Sequence, residues 1–136
     1  MRYYAVFDTN VLISSLLTKK TDTATAQVVD AIAAGKIIPL YNQAILNEYD
    51  EVLHRVKFSF SEERINRILK MIRQFGLRVN PSPTGEILVD MEDIVFYEVV
   101  MEKRDDGAYL ITGNIRHFPE KPYIVTPAEM MKILAR

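Results

Sequence analysis

Arg2-Tyr3-Tyr4-Ala5-Val6-Phe7-Asp8-Thr9-Asn10 decides the architecture of this chain. In an extended segment Tyr4 and Val6 face one way, Ala5 and Phe7 the other, and all four are apolar. A run that is apolar on both faces marks a central parallel strand covered on both sides. This strand delivers a carboxylate, Asp8, to its end. Asn10 is then a candidate N-cap for a short helix over Val11–Leu17.

The remaining chain alternates in the same manner. Thr18–Thr23 is polar and reads as a loop, and Ala24–Ala34 predicts a helix stopped by Gly35. Ile37–Leu40 reads as a strand in which Pro39 argues against full pairing. Asn42 can cap a helix running to about Val56, with Ile45, Tyr49, Val52 and Val56 as its buried stripe. Ser61 opens another helix, with Glu62 and Glu63 where the helix dipole favours them; Ile65, Ile68, Leu69 and Ile72 form its stripe and Gly76 ends it. Leu77–Val79 is a short strand, 80–85 a loop, and Glu86–Val89 an extended segment. Asp90 caps a predicted helix from about Met91 to Lys103, and Asp105-Asp106-Gly107 is a turn. Ala108–Thr112 is a second buried strand ending at Gly113-Asn114, and Tyr123–Val125 is the last. Thr126-Pro127-Ala128-Glu129 starts a final helix with a cap, a proline at the first helical position and a glutamate three after the cap. Strands alternating with helices predict an α/β layer fold with a mainly parallel sheet, whose sites lie at the carboxyl ends of its strands. Asp8 and Asn114 both fall at such ends.

The 136 residues suffice for one domain with one core. Cysteine is absent, so there is no disulfide framework and no thiolate metal site, which suits a reducing cytoplasm. The apolar run at the N-terminus ends at Asp8 and does not read as a signal peptide, and no stretch approaches a membrane span. With a net charge of −1, the chain does not grip nucleic acid by bulk charge, so such contact needs a local patch and is salt-sensitive.

Three later positions join Asp8 as candidates. Glu48 lies three after Ile45 and four before Val52, bordering the face of its helix that enters the core. A carboxylate there is costly unless it binds a metal, snorkels to solvent or pairs with a cation such as Arg55 or Lys57. Asp90, Glu92 and Asp93 are three acids in four residues, more than capping needs. At about 4 Å two such charges repel by roughly 4 kcal/mol in a surface-like dielectric, so a counter-ion is called for. Asp90 suits the cap and Asp93 a ligand. Asn114 offers an amide oxygen to Mg²⁺ or Mn²⁺, or serves as a turn residue after glycine.

Asp8-Thr9-Asn10-Val11-Leu12-Ile13-Ser14, Glu48 in a helix, Asp90-x-x-Asp93-x-x-Phe96, Ala108-Tyr109-Leu110-Ile111-Thr112-Gly113-Asn114 and Thr126-Pro127-x-Glu129 together resemble a PIN domain in order and spacing. The ordered set is most similar to bacterial PIN proteins described as toxin components of toxin–antitoxin pairs. The resemblance implies a three-layer α/β/α sandwich with a five-stranded parallel sheet, an acidic cluster binding Mg²⁺ or Mn²⁺, and cleavage of single-stranded RNA. It makes Asp8, Glu48 and Asp93 the three acids and metal ligands. Asn114 falls where many PIN domains place a fourth acid, a departure that bears on a second metal. It also implies an antitoxin that blocks the cleft, and pairing into a homodimer.

The chemistry suits phosphodiester hydrolysis, in which hard divalent cations on oxygen ligands provide a nucleophile and neutralise phosphate charge. Thr9, Asn10, Ser14 and Thr112 are candidates for orienting ligands or phosphate. Lys19, Lys20, Arg55, Lys57, Arg116 and Lys121 fall in or beside loops that could ring the site. His117 is a candidate phosphate contact, and Phe118 either stacks on a base or packs in the core. One rival reading is a weakened module that binds RNA or a protein without cutting. Another is a phosphotransfer domain, which needs a second acid beside the first or Asp-x-Asp, plus a later strand-end lysine. Here Asn10 stands in the first of those places and no lysine follows Thr112-Gly113.

Overall fold

The computed structural model describes residues 1–136. Strands β1 (Tyr3–Phe7), β2 (Ile37–Tyr41), β3 (Leu77–Arg78), β4 (Tyr109–Ile111) and β5 (Ile124–Val125) form one parallel sheet in the order β3-β2-β1-β4-β5. Six helices accompany it: α1 (Thr9–Leu17), α2 (Ala24–Ala33), α3 (Gln43–Leu53), α4 (Glu62–Phe75), α5 (Ile94–Glu102) and α6 (Pro127–Leu134). Ala5, Val6 and Phe7 are each at most 1% exposed, so both faces of the central strand are covered, as its two-sided apolar run requires.

The chain builds outward from β1 through β2 to β3, then crosses to the other side of β1 for β4 and β5. The order therefore reverses between β1 and β4, where flanking connections diverge and leave a crevice at the carboxyl ends. Phe7 pairs with Ile111, and the Asp8 N–H donates to Ile111 O at 2.9 Å. The residues following the two strands, Asp8 and Thr112, consequently stand at one level.

Local chemistry explains most helix starts. The side chains of Thr23, Asn42, Ser61 and Thr126 accept hydrogen bonds from the peptide N–H groups of Ala26, Ile45, Arg64 and Glu129. Thr126 and Glu129 complete a reciprocal capping box. Gly35 adopts φ +76° after α2, a conformation favourable to glycine. Gly76 ends α4 for a different reason: a Cβ there would run into the carbonyls of Ile72 and Pro39.

Several boundaries differ from the sequence expectations. Asp8, not Asn10, occupies the N-cap position of α1, which begins at Thr9. β2 is an interior strand despite Pro39; its pairing with β3 starts only at Leu40, so the missing N–H breaks no bond in that short ladder. α3 stops at Leu53, and Val56 opens a separate 3₁₀ turn at 91% exposure instead of extending the buried stripe. Residues 86–89 join no strand. The expected helix after Asp90 is split into a 3₁₀ turn over Met91–Asp93 and then α5.

Candidate metal centre

Asp8, Glu48, Asp93 and Asn114, drawn from the whole length of the chain, line one cavity of about 140 Å³. Thr9, Asn10, Val52, Arg55, Asp90, Glu92, Phe96 and His117 complete its wall. The cavity lies at the crevice between β1 and β4.

Asp8 is only 4% exposed. It stands at the N-cap position of α1 but its side chain makes no capping hydrogen bond. Instead Thr112 Oγ1 donates to Asp8 Oδ2 at 2.7 Å, fixing the carboxylate from the neighbouring strand end. Burial raises the Asp8 pKa; the Thr112 bond and the peptide N–H groups of Asn10 and Thr9 oppose that rise. Thr112 is fully buried, so of the two roles expected of it the structure shows contact with a ligand candidate, Asp8, and not an exposed phosphate contact. Its hydroxyl also accepts the Asn114 N–H at 2.9 Å.

Asp93 reaches the cavity differently. It precedes α5 in helical backbone, at the end of the 3₁₀ turn that Asp90 caps, and its carboxylate lines the cavity. Its pKa is raised to about 6, by burial first and then by the nearby negative charge of Asp8. His117 Nδ1 lies 3.2 Å from Asp93 Oδ2 and works against the shift. Glu48 is half-buried and also raised, by burial and by Glu51 and Glu92. The ion pair considered for it goes elsewhere: Arg55 reaches Glu51, at 3.6 Å.

Tyr49 ties these pieces together. Its hydroxyl donates to Phe7 O at 2.5 Å, one residue before Asp8, and its ring stacks on Phe96 with centroids 6.0 Å apart. Tyr49 follows Glu48, and Phe96 follows Asp93 by three residues. One buried side chain thus links the elements carrying all three acids. Its phenol pKa is raised well above the ordinary value by burial and by Asp8.

The donor set fits a hard divalent cation. Five carboxylates face a cavity with one arginine; burial raises the pKa of Asp8, Glu48 and Asp93, and neighbouring acids add to the rise at Glu48 and Asp93. Thr9 Oγ1, buried in the same wall, has no hydrogen-bond partner. One donor atom each from Asp90, Asp93 and His117 lie within 4.8 Å of one another. Asp8 and Glu48 share the cavity but stand outside that tightest trio.

Other expected contacts divide. Asn10 lines the cavity, whereas exposed Ser14 lines an adjoining pocket that shares Asn10 and Asn114. Of the six loop cations only Arg55 belongs to the wall; Arg116, Lys57 and Lys121 do not. Lys19 and Lys20 line a separate groove of about 480 Å³ with Arg64 and Arg67, whose single carboxylate is Asp30. Phe118 is 7% exposed and packs in the core. His117 turns to Asp93, and Asp90 offers one oxygen beyond the Oδ1 that caps the Glu92 N–H. The 3₁₀ turn after Asn114 returns His117, three positions on, to the same side.

A search of curated proteins finds no match. Among solved structures, the crystal structure of PAE2754 from Pyrobaculum aerophilum is similar, with 16% identity, a TM-score of 0.56, and coverage of 98% of this chain and 90% of that one. That likeness concerns the fold. The sequence profile described as PIN domain matches residues 4–116. PIN domains are generally metal-dependent nucleases that use divalent ions. The match runs from β1 through the turn after β4 and takes in all four converging positions, and the chain belongs to the PIN domain family.

Proposed function

We propose that this protein is an endoribonuclease that cuts single-stranded RNA with Mg²⁺ or Mn²⁺ held by Asp8, Glu48 and Asp93, with Asn114 as a neutral donor. The observation that carries the reading is the convergence of these four residues on one cavity beside a buried, unpartnered Thr9 hydroxyl. A divalent ion there supplies Lewis acidity at the scissile phosphate and an acidic water as nucleophile. Asp8 is held in place by Thr112, and His117 lies beside Asp93. Glu48, half-buried and raised in pKa, is suited to take the proton of the attacking water. Asn10 and Arg55 stand at the wall where phosphate oxygens would approach.

The test compares single-stranded RNA, duplex RNA and single-stranded DNA with and without Mn²⁺, using Asp8→Asn as control. Metal-stimulated cleavage of the single-stranded RNA, lost in the variant and in chelator, is the expected result. RNA retention without cleavage under every metal condition would instead identify a binding module, the reading that a neutral Asn114 in the acidic wall favours. The toxin role extends this reading through motif resemblance, and its check is genetic. Expression of the chain should arrest growth, and a small protein encoded beside it should relieve the arrest.

A further inference from the structure

The carboxylates leave one donor of the cavity unexplained. His117 ends a 3₁₀ turn over Ile115–His117, and its N–H donates to Asn114 O at 3.0 Å. That turn folds the ring back against the acids, so that Nδ1 lies 3.2 Å from Asp93 Oδ2. The trio of Asp90, Asp93 and His117 spans at most 4.8 Å between donor atoms. Two donors on opposite sides of one ion, at ligand bonds of about 2.1 Å, stand roughly 4.2 Å apart, so small side-chain adjustments close the set. An independent sign of a ligand is Thr9 Oγ1, in a residue 4% exposed, which lines the same cavity with no partner.

We propose that His117 is a nitrogen ligand of the cation held in this cavity, and that it turns the centre toward transition-series divalent ions and away from Mg²⁺. The inference rests on the metal reading given above. Mg²⁺ prefers oxygen and depends on carboxylate charge, which a neutral Asn114 does not supply. Imidazole favours ions that form firmer bonds to nitrogen, so exchanging an acid for a nearby histidine shifts the preference between the two groups. Ligation uses the Nδ1 lone pair, which places the proton of the neutral ring on Nε2. The side chain is 39% exposed, so solvent can pair with that proton.

The experiment uses the chelator-stripped full chain loaded with Mn²⁺ alone. Pulsed electron paramagnetic resonance reads nitrogen coupling to the bound ion, and calorimetry reads Mn²⁺ and Mg²⁺ affinity. The expected spectrum shows ¹⁴N modulation. Mn²⁺ affinity should fall in His117→Ala by at least the roughly tenfold that losing even an outer partner of a metal site costs, and Mg²⁺ affinity by less, so that the Mn²⁺ to Mg²⁺ ratio drops. His117→Asp should raise Mg²⁺ affinity. The chain has two histidines, so a His54→Gln variant that keeps the modulation assigns it to His117. Bound Mn²⁺ without nitrogen coupling, modulation lost in His54→Gln, or an unchanged ratio in His117→Ala would overturn the ligand role. Each of these would leave the metal reading standing. If neither ion binds the wild-type chain, both readings fall. Should His117→Ala fail to fold by circular dichroism, the wild-type and His54→Gln spectra still decide.

Discussion

Two helices of this protein begin on an aspartate that does not cap them. Thr23, Asn42, Ser61 and Thr126 each accept a peptide N–H from extended backbone at a helix start; Asp8 stands at such a start with its carboxylate held by Thr112, and Asp93 precedes α5 in helical backbone, after the turn that Asp90 caps. Their carboxylates face the cavity. Asp93→Ser removes a carboxylate whose charge burial and Asp8 disfavour: at neutral pH the metal-free variant melts at a higher temperature than wild type, while metal-dependent cleavage is lost. The gain should also depend on pH. The native Asp93 pKa of about 6 lies above its ordinary value of 3.8. Below 3.8 both folded and unfolded chains hold the proton, and the group contributes nothing. Between 3.8 and about 6 only the native state keeps it, so stability falls as pH rises, and the loss is complete above about 6. The melting-temperature difference between Asp93→Ser and chelated wild type should therefore be small near the lower value and widen through the upper one. A difference independent of pH would refute this account. Asp8 and Asn114 were legible in the sequence because each ends an apolar strand, and Glu48 because it borders a buried stripe. The pairing of His117 with Asp93 was not, since it depends on a three-residue turn and on two segments meeting in space.

At the scale of elements, the site is held by β1, α3 and α5, and Tyr49 is their common fastening. Tyr49→Phe keeps the ring and its stack on Phe96 but leaves the Phe7 carbonyl without this buried donor. The expected cost is about 1–3 kcal/mol, read by urea denaturation of the metal-free chain. Because Phe7 precedes Asp8, metal affinity should weaken as well, which calorimetry would detect; an unchanged affinity would confine Tyr49 to folding. The elements themselves were readable where a local group specifies them, as with the Thr126–Glu129 capping box and the Gly35 stop. They were misread where tertiary context decides. Periodicity carries α3 on to Val56, yet no glycine or proline marks its true end at Leu53. Pro39 argued against full pairing, and β2 is indeed paired with β3 only from Leu40, but the pattern did not say that a second neighbour would be there at all. Asp90 does cap, though it opens a 3₁₀ turn instead of a continuous helix.

For the molecule as a whole, alternation of strands and helices was enough to give a parallel α/β layer, but not the strand order. Hydrophobic pattern says that β1 is buried on both faces; it does not say that β2 and β4 are its neighbours. That order is what brings a residue near the start of the chain to one near its end, and it concentrates acids in a chain of net charge −1. Asp8, Glu48, Asp90, Glu92 and Asp93 face the cavity against Arg55 alone. Such a wall repels a phosphate until a divalent ion reverses the local sign. The cation should thus be needed for RNA binding itself, beyond its part in cleavage. Fluorescence anisotropy with a labelled single-stranded RNA, read before cleavage proceeds, should show binding in Mn²⁺ and none in chelator. The salt dependence should be shallow, because few cations surround the cavity. At about 0.7 per phosphate neutralised, contact with two or three phosphates gives a slope of log affinity on log salt of about −2. Equal binding in chelator, or a slope several times steeper, would mean that RNA is gripped by cations elsewhere, with the Lys19, Lys20, Arg64 and Arg67 groove the first place to look.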